Sequence, residues 1–192
     1  MEKDRLLAFT DGVIAIIVTI MVLELKAPHD VDLAALAGLA PTLFSYVLSF
    51  IYVAIYWNNH HHFFHLVRHV DGIVLWANMN LLFWLSLVPF ATGWMGENQF
   101  APVPTAAYGV ALLMPALAWH GLQLAIIRGR HDERMLAQAI GRDLKGKISP
   151  ALYLAGILFA FLDARISDAL YVLVALMWLI PDRRIERTIR RR

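Results

Sequence analysis

Residues 148–181 read ISPALYLAGILFAFLDARISDALYVLVALMWLIP, 34 residues charged only at Asp163, Arg165 and Asp168. A membrane-spanning helix takes roughly 20 apolar residues, so this stretch holds either one over-long span or two short ones. A single span would set all three charges in hydrocarbon, at about 2.5–3.5 kcal/mol each on insertion scales. Two helices joined by a tight turn over 164–167 leave them in water instead. The stretch is therefore read as two spans, 148–164 and 166–181.

The chain upstream is equally apolar. Residues 33–57, 72–96 and 98–127 contain no Asp, Glu, Lys or Arg, and over the 192 residues 59% are apolar and 17% charged. Mean hydropathy is +0.58. A water-soluble domain carries about 45–50% apolar and about 25% charged residues, so a soluble enzyme and a disordered chain are both excluded. Four further spans fall at about 6–25, 36–57, 72–92 and 103–127. Pro104 suits the first turn of the fourth, and Pro115 is expected to kink its middle. Lys3 and Arg5 before an apolar run imitate a signal peptide, but residues 23–28 (LELKAP) lack the small-x-small cleavage pattern, and the segment is read as a retained helix. The expected fold is all-α: one domain over 1–192 with six transmembrane helices.

Charge placement tests the count. With six spans, 15 of the 17 Lys and Arg residues fall on one side, leaving only Lys26 and Arg165 opposite. The positive-inside rule makes the first side cytoplasmic, with both termini on it. Reading 148–181 as one span would send the tail arginines outward. The loop 128–147 is expected to form an amphipathic surface helix, and the Arg-rich tail from Arg183 to anchor against anionic headgroups rather than to regulate; no nucleic-acid partner is expected.

Inside the first span sits Asp11. An ionisable group in a span is a candidate functional residue, either contacting an ion or holding helices together. At 100° per residue, Ile16, Thr19, Ile20 and Leu23 form one stripe, and Asp11 points about 140° from its middle. Asp11 should then take a donor from a neighbouring helix. Residues 57–62 (WNNHHH), with His65 and His69 following, lie at the same depth and supply such donors. The competing reading is a metal site. Five of eight histidines crowd into this segment while His29, His120 and His131 stand alone, and no intramembrane Glu completes a carboxylate-bridged centre. With no cysteine, thiolate ligation and disulfides are excluded. No nucleophile elbow, phosphate loop or zinc-protease helix occurs, so an enzyme is not expected. The six tryptophans suit interfacial belts and helix packing.

Arg5-Leu-Leu-Ala-Phe9-Thr10-Asp11-Gly12 resembles the Arg-x-x-x-Phe-Ser-Asp signature of the endosomal/lysosomal transmembrane potassium channel family, in its bacterial branch. Residues 22–28 (VLELKAP), Trp57-x-x-His60-His61 and Pro89-Phe90-Ala91-Thr92 resemble that branch too, with Thr10 standing for the serine. The likeness covers the first half by motif and the whole chain by six-helix layout. It implies a potassium-permeable homotetramer in a prokaryotic cell membrane, needing no cofactor. Its partners are then further copies of itself, the bilayer and permeant monovalent cations. It also implies that the first helix lines the pore, that Ile16 forms the narrowest point with Thr19, Ile20 and Leu23 on successive turns, and that Arg5, Phe9, Thr10, Asp11, Trp57, His60 and His61 form a structural network.

No Thr-Val-Gly-Tyr-Gly loop is present, so a carbonyl cage is excluded. Selectivity is expected to arise from a dry constriction at Ile16, Ile20 and Leu23, where potassium sheds water more cheaply than sodium, with potassium passing near Ile16 and Thr19. The rival readings are a proton-coupled transporter relaying through Asp11 and His60-His61-His62, and a membrane metalloenzyme.

Overall fold

The computed structural model describes residues 3–28, 31–67, 69–128 and 144–179. Among them every regular element is a helix: α1 (Lys3–Leu23), α2 (Leu33–Gly38), α3 (Ala40–Leu66), α4 (Gly72–Leu85), α5 (Val88–Glu97), α6 (Pro102–Arg128), α7 (Leu144–Phe159) and α8 (Ala164–Leu179). Four helical stretches are long and apolar enough to cross a membrane: α1, α3, α4 with α5, and α6.

Local chemistry sets the ends. Asp32 and Asp71 precede α2 and α4, and each carboxylate accepts the N–H three residues on, satisfying a donor that a helix start leaves unpaired. The break between α4 and α5 follows from Pro89, which has no N–H for the Leu85 carbonyl one turn back. α5 closes on Gln99 and Phe100, both left-handed at φ 49° and 59°. Phe100 packs its ring edge-on against Phe44 at 5.8 Å, which holds this turn to α3.

The long helices α3 and α6 run through two apolar cores. One gathers α1, α4 and the C-terminal halves of α3 and α6 around Met21, Phe63, Phe64, Leu81 and Leu122. The other gathers α5, α7, α8 and the N-terminal halves of α3 and α6 around Met95, Tyr108, Leu112, Tyr171 and Val174. Tyr171 fits because Gly109 and Gly156 face it, and a methyl group on either would overlap its ring. The polarity is that of a protein in lipid. Ser49, His60, Asn78 and Thr92 are buried, while Trp76, Phe90, Phe161 and Leu162 are largely exposed. Buried polar groups join helices, and outward apolar ones meet hydrocarbon.

Three expectations change. The second span does not end at Trp57: α3 continues to Leu66, because nothing in 58–66 breaks a helix. The third span is two helices rather than one, broken by Pro89. The last turn falls at 160–163 rather than 164–167, where Asp163 accepts the Arg165 N–H and starts α8. α6, in contrast, runs through Pro115 as one helix. The expected surface helix over 128–147 and the tail lie almost wholly outside the described residues.

Candidate functional site

α1 has two unlike faces. Leu6, Thr10, Ile14, Ile17 and Met21 are buried against α3, α4 and α5, a line repeating every three or four residues. Ile16, Ile20 and Leu23 lie on the other face, 58%, 43% and 75% exposed, with Thr19 exposed among them. The four residues of the expected pore stripe thus share the side of α1 turned away from its own bundle. Along the Ile16 and Ile20 edge of this face runs an open cleft of about 670 Å³ between α1 and α5, walled by Ile16, Ile20 and Glu24 on one side and Pro89, Phe90 and Trp94 on the other.

The Thr19 hydroxyl donates its proton back along the helix, to the carbonyls of Ala15 at 3.0 Å and Ile16 at 2.9 Å. A hydroxyl so committed offers only lone pairs outward, which is what a cation ligand requires. At the C-terminal end of α1, Glu24 packs against Gly93 of α5, close enough that a methyl there would come within 2.9 Å of its carboxylate. Beside it Lys26 donates to Glu97 at 2.6 Å, and this bond holds the Lys26 ammonium above the ordinary lysine range.

Near its N-terminal end α1 is tied to the bundle by two separate sets of bonds. Inside, Asn78 Nδ2 donates to Thr10 Oγ1 at 2.9 Å, leaving Asn78 Oδ1 to accept from His60 at 2.9 Å. An amide oxygen only accepts, so the proton of this bond sits on His60 Nε2. His60 also stacks on Phe64, with ring centres 4.3 Å apart. Outside, Trp57 Nε1 donates to Asp11 at 2.9 Å, and the Trp57 ring stacks on His61 at 5.9 Å. His61 in turn meets His65, nitrogen to nitrogen, at 3.0 Å. Lys3 closes the end by donating to the carbonyls of Phe64 and Val67.

The donor on a neighbouring helix that Asp11 was expected to need is therefore Trp57, and the histidines are not bonded to Asp11. The reason is helical phase. Thr10 and Asp11 are about 100° apart on α1, so Thr10 points inward to Asn78 while Asp11 stays exposed. Arg5 and Phe9 also lie on the exposed face of α1. Asn78 escaped the sequence reading, although an amide inside a charge-free run was its visible signal. So did Ser49 and Tyr108, while Thr92 was read only as part of a motif; their hydroxyls form a buried chain at 2.6 and 2.9 Å linking α5, α3 and α6. Among the described residues no three His, Asp or Glu side chains are arranged to hold a metal ion.

The comparisons agree with this architecture. Residues 5–89 match the family described as endosomal/lysosomal potassium channel TMEM175. The chain is 50% identical over 190 residues to a potassium channel of Chryseobacterium sp. (strain P1-3), covering 99% of each. It is 26% identical over 191 residues to the human endosomal/lysosomal proton channel TMEM175, covering 91% of this chain and 37% of the human one. Its structure superposes on the crystal structure of a lysosomal potassium-selective channel TMEM175 homolog from Chamaesiphon minutus with a TM-score of 0.81, at 28% identity, covering 93% of this chain and 97% of that one. These relatives are membrane ion channels, not enzymes. The chain belongs to the TMEM175 channel family.

Proposed function

We propose that the chain is one subunit of a homotetrameric potassium channel in a prokaryotic cell membrane, with four copies of α1 around the pore. The observation that carries this reading is the outward stripe of α1, where Ile16, Ile20 and Leu23 stand exposed with Thr19 between them. Four such stripes on one axis make stacked rings, apolar except at Thr19. An ion crossing the apolar rings must shed water, and potassium meets the smaller barrier. At the Thr19 ring, hydroxyl lone pairs replace part of the lost hydration, which favours the ion whose shell is cheaper to exchange. The same rings, drawn together, exclude water and form the gate. Thr10, Asn78 and His60 hold α1 against its bundle while Trp57 holds Asp11, so the network sets where the stripe points.

Six spans with cytoplasmic termini complete the proposal. α7 and α8 have 16 residues each, about 24 Å of helix against a hydrocarbon core of roughly 30 Å. Local thinning of the bilayer accommodates that shortfall. The proton-relay alternative requires Asp11 and the histidines to be wired together, whereas Asp11 is held by Trp57 and His60 faces Asn78.

Single-channel recording of the purified protein in a planar bilayer tests the reading. Discrete current steps are expected, far above any transporter's turnover. Ile16→Asn should wet the constriction and raise conductance to several cations. An unchanged current in Ile16→Asn would remove α1 from the pore.

A further inference from the structure

His61 and His65 lie one turn apart on the exposed face of α3, and neither is used by the proposed pore. Their Nε2 atoms stand 3.0 Å apart and their rings 4.5 Å apart at 83°. We infer that His61 and His65 form a chelating site for a divalent transition-metal ion of the copper or nickel class. Two histidines at i and i+4 on one helix face are a recurrent metal-binding pair. With metal–nitrogen bonds of about 2.0–2.1 Å, a 3.0 Å separation subtends roughly 94° at the metal, close to the right angle of square-planar and octahedral ions. Tetragonal nitrogen and oxygen sites of this shape favour Cu(II) and Ni(II). Zinc, which prefers a tetrahedral angle, fits less closely. In the present bond one ring donates its Nε2 proton to the other; when the ion binds, that ring moves this proton to Nδ1, so both Nε2 lone pairs face the ion and no proton is released.

The surroundings brace one ligand: His61 stacks on Trp57, so little ring freedom is lost on binding. His65 lies in the last turn of α3, whose Phe64 and Val67 carbonyls already hold the Lys3 ammonium. No third protein ligand stands with the pair among the described residues, so water completes the coordination and the ion is exchangeable rather than structural.

Equilibrium dialysis of the full chain in detergent, purified without a histidine tag, against CuCl2 and separately NiCl2 tests the site. His65→Gln keeps a polar residue on an exposed helix face and should weaken the tightest site by about tenfold or more, since one imidazole cannot chelate. His61→Gln should do the same, while His62→Gln, on a different face, should leave affinity unchanged. Gel filtration establishes that each variant is folded. If His65→Gln binds either metal within twofold of the parent, or the parent binds neither, the inference is overturned.

Discussion

Asn78 is where a small change should do the most to α1. Its amide is 2% exposed and bonds on one side to Thr10, 0% exposed, and on the other to His60, 2% exposed. Asn78→Leu keeps the branched shape of the side chain and deletes both bonds, leaving two buried polar groups without partners. Helix-to-helix side-chain bonds in membranes average about 0.6 kcal/mol and reach about 1.7, so losing two should cost about 1–3 kcal/mol. At about 2–4 °C per kcal/mol for a chain of this size, the Tm in detergent should fall by about 2–12 °C. Asn80→Leu, at an exposed amide two residues along the same helix, controls for a generic polar-to-apolar change. Thr10→Val should then cost less in the Asn78→Leu background than in the parent, because its bond is already gone. If Asn78→Leu matches Asn80→Leu, or if the Thr10 and Asn78 effects simply add, the buried triad does not hold α1.

Two further perturbations follow from the same geometry. Asp11→Ala removes the carboxylate that Trp57 holds and should disrupt folding or tetramer assembly, seen as aggregation on size-exclusion chromatography; a parent-like profile would confine Asp11 to another role. Gly96→Ala places a methyl 2.7 Å from the Thr42 Cα, which cannot swing aside, so α3 and α5 must part at about 1–3 kcal/mol, measurable as a lower Tm. An unchanged Tm would mean that the two helices have slack there.

How much of this was written in the sequence depends on which forces set each feature. The two-helix reading of 148–181 rested on three charges whose burial is expensive, and a helix break does occur there. Its position moved because Asp163, rather than the centre of the charged cluster, starts α8. Pro89 was visible as a residue but was read as part of a motif rather than as the lost bond that breaks the third span. The α1 stripe followed from helical periodicity alone. The routing of the polar network did not, because it depends on which of two adjacent residues, Thr10 or Asp11, the bundle turns inward. That phase is set by packing of Ile14, Ile17 and Met21 against other helices, which no local pattern states. The hydroxyl chain Thr92–Ser49–Tyr108 was hidden for the same reason: three common residues on three helices carry no signal until the helices meet.

The central claim is that α1 presents a potassium-selective face at Ile16 and Thr19. It is tested most directly by the reversal potential of the purified protein under opposed potassium and sodium gradients, measured for the parent and for Thr19→Val. The account requires the parent to reverse toward the potassium equilibrium potential, a tenfold preference corresponding to about 59 mV, and Thr19→Val to reverse closer to zero. A parent that reverses at zero, or a Thr19→Val reversal potential equal to that of the parent, would contradict it.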